Sequence, residues 1–194
     1  EEKIRFAWEF IGCALLRAAT RMQKAVFIVG GGANGKSTLI DILISLFPAG
    51  SVTSIAPQDF ASEYRLAFLR SALLNAVNES PDSEIAASAT FKSTITGDLM
   101  MARQIREAPF AFRPIAAHVF LGNELPAFRD LSEGFARRWI VLTMDREFSV
   151  QEQDRTIGQR IREQESEAIV CRAIIAGATA IKRGHFIEPT TSVT

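Results

Sequence analysis

A chain of 194 residues is long enough for one domain with a full hydrophobic core. Hydrophobic residues make up 47% of it, with 14 Phe, which excludes a disordered polar chain. Lysine plus arginine and aspartate plus glutamate both count 22, so there is no global basic footprint, and any nucleic-acid contact must come from a local patch. The two cysteines, Cys13 and Cys171, sit in apolar, helix-like segments. They are expected as buried thiols rather than a bridge, which suits a reducing cytosol. No apolar run approaches the length of a membrane span. The charged helical start and the loop-like Thr190-Thr191-Ser192 end read as those of a piece cut from a longer protein.

In chain order, residues 4–18 carry Ile4, Phe6-Ala7, Phe10-Ile11 and Ala14-Leu15 at helical spacing. Residues 26–29 are a short apolar run leading into glycines, the pattern of a buried strand. Residues 36–47 predict a helix that Pro48 ends. A second apolar run, residues 72–77, stops at Asn78-Glu79. Residues 83–95 predict a helix, with Pro81-Asp82 turning into it. Residues 99–105 and 110–113, split by Glu107-Ala108-Pro109, predict a hairpin. Residues 118–122 form a third core strand ending at Asn123, and residues 139–144 a fourth. Residues 154–183 are mostly helical, with a break near Gln164-Glu165-Ser166. Strands alternating with helices predict an α/β core with a largely parallel sheet. With no internal repeat or low-complexity linker, one domain is expected.

The most specific string is Gly30-Gly31-Gly32-Ala33-Asn34-Gly35-Lys36-Ser37, which fits G-x-x-x-x-G-K-[ST] between a predicted strand and a predicted helix. Glycines let backbone N–H groups turn toward phosphate oxygens, and the helix that follows adds its positive N-terminus. Lys36 is expected on the β- and γ-phosphates, and Ser37 offers a hydroxyl to Mg2+. Thr38 closes the binding set. Asn34 either keeps a tight turn or contacts phosphate.

Such a loop needs a carboxylate to order magnesium or polarise water. Glu79, at the end of a predicted strand, is the candidate general base and metal-side acid; the alternative is a solvated loop glutamate. Asn78 is weaker than an acid for metal, and Asp82 is a candidate to compensate. Asn123 can sense the γ-phosphate and position water, or merely form a turn. Arg137-Arg138, directly before an apolar strand, can stabilise charge on a transferring phosphoryl group, or can be a solvated helix end. The hairpin region offers Lys92, Arg103, Arg106 and Arg113 against Asp98 and Glu107. By composition alone these cations read more readily as partners of local acids than as DNA contacts. His118 reads equally as a packed strand residue and as a phosphate contact.

These signals occur in one order, and in that order the chain resembles the superfamily 3 helicases of phage and plasmid primases, a hexameric AAA+ branch. The resemblance is carried by Phe10-Ile11-Gly12-Cys13-Ala14-Leu15, Gly32-Ala33-Asn34-Gly35-Lys36-Ser37-Thr38, residues 73–79, Phe91-Lys92 with Thr96-Gly97-Asp98, Phe120-Leu121-Gly122-Asn123-Glu124-Leu125-Pro126 and Gly134-Phe135-Ala136-Arg137-Arg138. It implies a P-loop ATPase core at residues 21–150, with residues 1–20 and the helices of residues 151–194 packed on it. It implies ATP and Mg2+ as cofactors, and a hairpin, with Lys92, Arg103 and Arg106, that grips single-stranded DNA in a central channel. Asn123 matches the family's motif C asparagine. Arg138, with Arg137 as second candidate, matches the arginine finger given to a neighbouring subunit's nucleotide. The chain departs from the family at Asn78, where many members carry another acid, and at Ala117-His118, where a lysine is often found.

The expected function is therefore ATP hydrolysis coupled to DNA translocation and unwinding. It would run in a self-assembled ring, next to a primase domain or protein, in the cytoplasm of a bacterial cell or phage-infected host. The rival readings are a P-loop kinase acting on a nucleotide or small molecule, which needs a lid with arginines from the same chain, and a non-motor AAA+ switch that only assembles on DNA.

Overall fold

The computed structural model describes residues 1–81, 83–85, 88–128, 130 and 132–190. It opens with helices α1 (Glu2–Leu15) and α2 (Ala19–Met22), strand β1 (Ala25–Val29) and helix α3 (Lys36–Ser45). Strand β2 (Val52–Thr53), a 3-10 turn, α4 (Glu63–Leu66), a second 3-10 turn and β3 (Leu74–Val77) follow. Next come α5 (Ser88–Thr96), β4 (Met100–Ala102), β5 (Phe110–Phe112) and β6 (Ala117–Gly122). The chain continues with α6 (Glu133–Ala136), β7 (Trp139–Thr143), α7 (Ile157–Gln164) and α8 (Ser166–Arg183).

Five strands make one parallel sheet in the order β2-β3-β6-β1-β7, and β4 and β5 pair as an antiparallel hairpin. This is the α/β architecture expected from the alternating pattern. The sheet is covered on both sides, which is why its strands are mostly apolar rather than alternating, with Asn75 and His118 as buried polar exceptions. Along β1, Val26 and Ile28 join one core with Phe6, Phe10, Ile40 and Leu43. Ala25 and Phe27 join the other, with Phe60, Phe91, Phe120 and Trp139. The second core is largely aromatic: Phe91 stacks on Trp139 with ring centroids 4.6 Å apart.

Helices α1 and α8 cross in backbone contact. A Cβ on Gly12 would lie 1.8 Å from the Ala173 carbonyl oxygen, and one on Gly177 2.4 Å from Gly12 itself, so neither position accepts a side chain. Glu9, buried on α1, accepts from Arg183 at 2.5 Å and from the Ile187 backbone at 3.1 Å. These bonds strap the C-terminal segment onto α1.

Several local expectations are corrected. The first helix stops at Leu15, where the chain turns through Arg17 with φ +58 before α2. The helix expected over residues 83–95 begins at Ser88. Ahead of it, buried Ile85 makes a parallel bridge to Phe128, so burial of that side chain pulls the segment into extended backbone. Asp82, expected in the turn into that helix, and Thr191-Ser192 lie outside the described residues. Cys13 is buried, and burial pushes its thiol up to about 12. Cys171 is exposed, because α8 turns Ala173, Gly177 and Ala180 inward and leaves Cys171 on the other face. His118 is a packed strand residue: it is buried, lies against Phe60 and Phe120, and takes a hydrogen bond from the Asn75 amide at 3.2 Å. The break near residue 165 falls where α7 gives way to α8.

Candidate functional site

The strand order decides which residues meet. Strand β6 lies between β1 and β3, and all three run parallel. Val29 is in register with Gly122, and Val77 with Phe120. The glycine loop after β1, Asn123 after β6 and Asn78-Glu79 after β3 therefore leave the sheet at one edge, where ligands of such sheets bind. They open into a cleft of about 1150 Å³ that includes Gly31 through Thr38, Asn78, Glu79 and Asn123. Residues far apart in sequence are thus gathered on one wall by strand pairing alone.

Within the loop, Ala33 and Gly35 take positive φ, +52 and +84. The tight path turns the chain into α3, whose N-cap, Gly35, supplies no side-chain cap. The Lys36 N–H turns to Asn34 Oδ1 at 3.4 Å, and the first-turn N–H groups after it remain open to an anion. Lys36 is buried, and its ammonium folds onto its own loop. It donates to the Gly30 carbonyl at 2.5 Å, the Gly31 carbonyl at 2.7 Å and Asn34 Oδ1 at 3.2 Å. Ser37 and Glu79 are exposed in the same cleft. Among the described residues no three acids, histidines or cysteines group to hold a metal ion. One hydroxyl and one carboxylate fit a Mg2+ that arrives with phosphate oxygens and keeps its own waters, rather than one caged by protein.

The two arginines are placed elsewhere. Arg138 immediately precedes β7, and Trp139 is in register with Ala25, so both arginines sit at the opposite edge of the sheet from the loop. Arg138 is buried: it donates to the Gly134 carbonyl, while its Nε has no partner among the described residues. Burial, then the neighbouring Arg137 cation, lower its pKa. Arg137 is exposed.

The hairpin cations divide in the same way. Lys92 pairs with Asp130 at 3.0 Å. Hydrogen bonds from Ser132, then from Lys92, hold the Asp130 carboxyl well below the usual carboxylate range. Arg103 pairs with Glu63 at 2.7 Å, donates to the Tyr64 hydroxyl and lies 4.9 Å over that ring. Arg113 donates to the Gly97 carbonyl at 3.2 Å. Arg106 is exposed at the hairpin turn with φ +66, next to Ile105, which is 77% exposed. Leu99 and Met101 also face solvent.

Sequence reasoning missed the segment after β7 as part of the site. It folds over the glycine loop: Asn34 donates to the Met144 carbonyl at 3.1 Å, and the Phe148 N–H to the Ala33 carbonyl at 2.9 Å. Arg146, stacked 4.6 Å over Phe148, and Arg155 line the cleft from this side. Ile157 and Ile161 of α7 add an apolar wall facing Leu39 and Ile42. Its one legible signal was the mixed charge of Asp145-Arg146-Glu147, which by itself reads as a loop.

No curated protein matches the chain. Among solved structures, two of the NrS-1 C-terminal region share its fold. One has a TM-score of 0.66 at 17% identity over 90% of this chain and 42% of that one, the other 0.61 at 15% over 100% and 41%. The chain thus spans less than half the length of these structures. A structure of JCV helicase is more distant, with a TM-score of 0.46 at 12% identity over 94% of this chain and 53% of that one. The model of one protein family matches residues 28–138, more than half of the sequence, from the end of β1 to Arg138. The chain therefore belongs to DUF5906, a family of unknown function.

Proposed function

We propose that the chain is an ATP-hydrolysing motor domain of the superfamily 3 helicase kind, working on DNA as part of a ring of identical subunits. The observation that carries this reading is the single cleft where the glycine loop, Lys36, Ser37, Glu79 and Asn123 converge from three parallel strand ends. Backbone N–H groups of the loop and α3 would receive the phosphates. Lys36 would leave its loop carbonyls for the β- and γ-phosphate oxygens, and Ser37 with Glu79 would hold the side of Mg2+ that faces the protein. Mg2+ supplies charge neutralisation on the phosphates. Asn123 would orient a water in line with the γ-phosphorus. Glu79 would accept its proton as the new P–O bond forms and the bond to the β-phosphate oxygen breaks.

The site has no finger of its own in the positions of Arg137 and Arg138. Five strand residues, about 16 Å at the usual rise, separate them from the loop. A neighbouring copy that sets its arginine edge against this cleft would complete it, which supports a ring. Exposure favours Arg137 over Arg138 as the group able to reach across.

A second reading, a P-loop kinase, draws support from Arg146 and Arg155, which line the cleft from the same chain as a kinase lid would. DNA separates the two. A motor shows ATPase activity that single-stranded DNA stimulates, and it unwinds a forked duplex. A kinase ignores DNA and needs a phosphate acceptor. ATP turnover unchanged by DNA, with no unwinding, would remove the motor reading.

A further inference from the structure

We propose that Asn34 is a positioning residue that aims Lys36 at the nucleotide and ties the glycine loop to the segment after β7. Asn34 is 4% exposed, and both ends of its amide are engaged. Oδ1 accepts from the Lys36 ammonium at 3.2 Å and faces the Lys36 backbone N–H at 3.4 Å. Nδ2 donates to the Met144 carbonyl at 3.1 Å. The amide orientation is unambiguous, because an ammonium can only donate and a carbonyl can only accept. Aspartate would set a carboxylate against the Met144 carbonyl and beside incoming phosphates. Serine and alanine could not span both partners.

The neighbouring backbone is shaped around this link. A Cβ on Gly30 would lie 2.4 Å from both Asn34 Nδ2 and the Met144 oxygen. Gly30 is thus needed for the contact and not only for loop flexibility. Lys36 has three acceptors, and two of them are the Gly30 and Gly31 carbonyls that it must release to reach phosphate. Among the described residues, the Asn34 amide is the side-chain acceptor it can keep while its other protons turn to the nucleotide. Met144 directly follows β7, the strand that starts right after the arginines, so the same amide joins the loop to the end of that strand.

This inference rests on the nucleotide-site reading, and a double-mutant cycle read by binding of a fluorescent ATP analogue tests both. Asn34→Ala should weaken binding roughly tenfold, the scale of one hydrogen bond to a charged group. In a Lys36→Ala background the same substitution should cost clearly less, because the share that runs through the ammonium is already lost and only the ties to Met144 and the loop backbone remain. Asn34→Ser, whose shorter side chain cannot span both partners, should behave as Asn34→Ala does. It carries the same cycle against Lys36→Ala if Asn34→Ala does not fold by thermal melting. Equal losses with and without Lys36 would overturn the proposal and leave Asn34 as a support of the loop's fold. If Lys36→Ala itself binds the analogue as tightly as the parent, the nucleotide-site reading fails, a result separable from the other.

Discussion

The placement of Arg137 and Arg138 allows a test that separates chemistry from packing. The register of β7 with β1 puts both at the sheet edge away from the glycine loop. The gap of about 16 Å is longer than an arginine side chain spans, so neither completes its own subunit's cleft. Arg137→Ala removes an exposed guanidinium and should leave the melting temperature unchanged. If Arg137 is the finger, its ATPase should fall roughly a thousandfold or more. Arg138→Ala removes a buried side chain bonded to the Gly134 carbonyl and should cost roughly 1–3 kcal/mol of stability. At about 2–4 °C per kcal/mol for a domain of this size, melting shows that loss readily. Arg137→Ala is then mixed with Lys36→Ala under conditions where gel filtration shows assembly and subunit exchange. With random mixing of equal amounts, about one interface in four pairs an intact loop with an intact arginine, so about a quarter of parent activity should return. No recovery at any mixing ratio would refute a site built from two chains. An inactive but fully stable Arg138→Ala beside an active Arg137→Ala would move the finger by one residue.

Three further outcomes follow from the same geometry. Glu79→Gln should bind the ATP analogue as the parent does yet hydrolyse ATP very slowly, since an amide cannot take a proton from water; normal turnover would make Glu79 a solvated loop residue. In single-stranded DNA binding, Arg106→Ala should lower the log–log salt slope by about 0.7, while Arg103→Ala should leave it nearly unchanged because Glu63 already neutralises that cation. Equal slope changes for both would show that the Glu63 pair opens on DNA. Burial lowers the His118 pKa from 6.5 to about 3, so the unfolded chain takes up a proton that the folded chain refuses. Stability should be whole above pH 6.5 and fall at up to about 1.4 kcal/mol per pH unit as pH drops from there toward 3. Urea midpoints for His118→Gln should be flatter over that window than for the parent; parallel curves would place the titration elsewhere.

By itself the sequence determined the parts whose cause is local. A glycine string between an apolar strand and an amphipathic run already specifies a turn that exposes N–H groups, whatever surrounds it. The predominantly apolar runs of β1, β3, β6 and β7 specify a sheet buried on both faces, and Gln164-Glu165-Ser166 mark the break between α7 and α8. Tertiary structure decided which residues share a site. That Glu79 and Asn123 line one cleft with the loop follows from β6 pairing between β1 and β3, a long-range choice that no local spacing encodes. Whether a charge is free depends likewise on what folds against it. Lys92 and Arg103 look like Arg106 in the sequence, but Asp130, Glu63 and Tyr64 are brought to them from other elements. Arg137 and Arg138 are adjacent and chemically identical, yet one points to solvent and the other is folded onto a carbonyl. The Met144 carbonyl that holds Asn34 is a backbone group, invisible in the sequence because every residue has one; only packing brings this one to the loop.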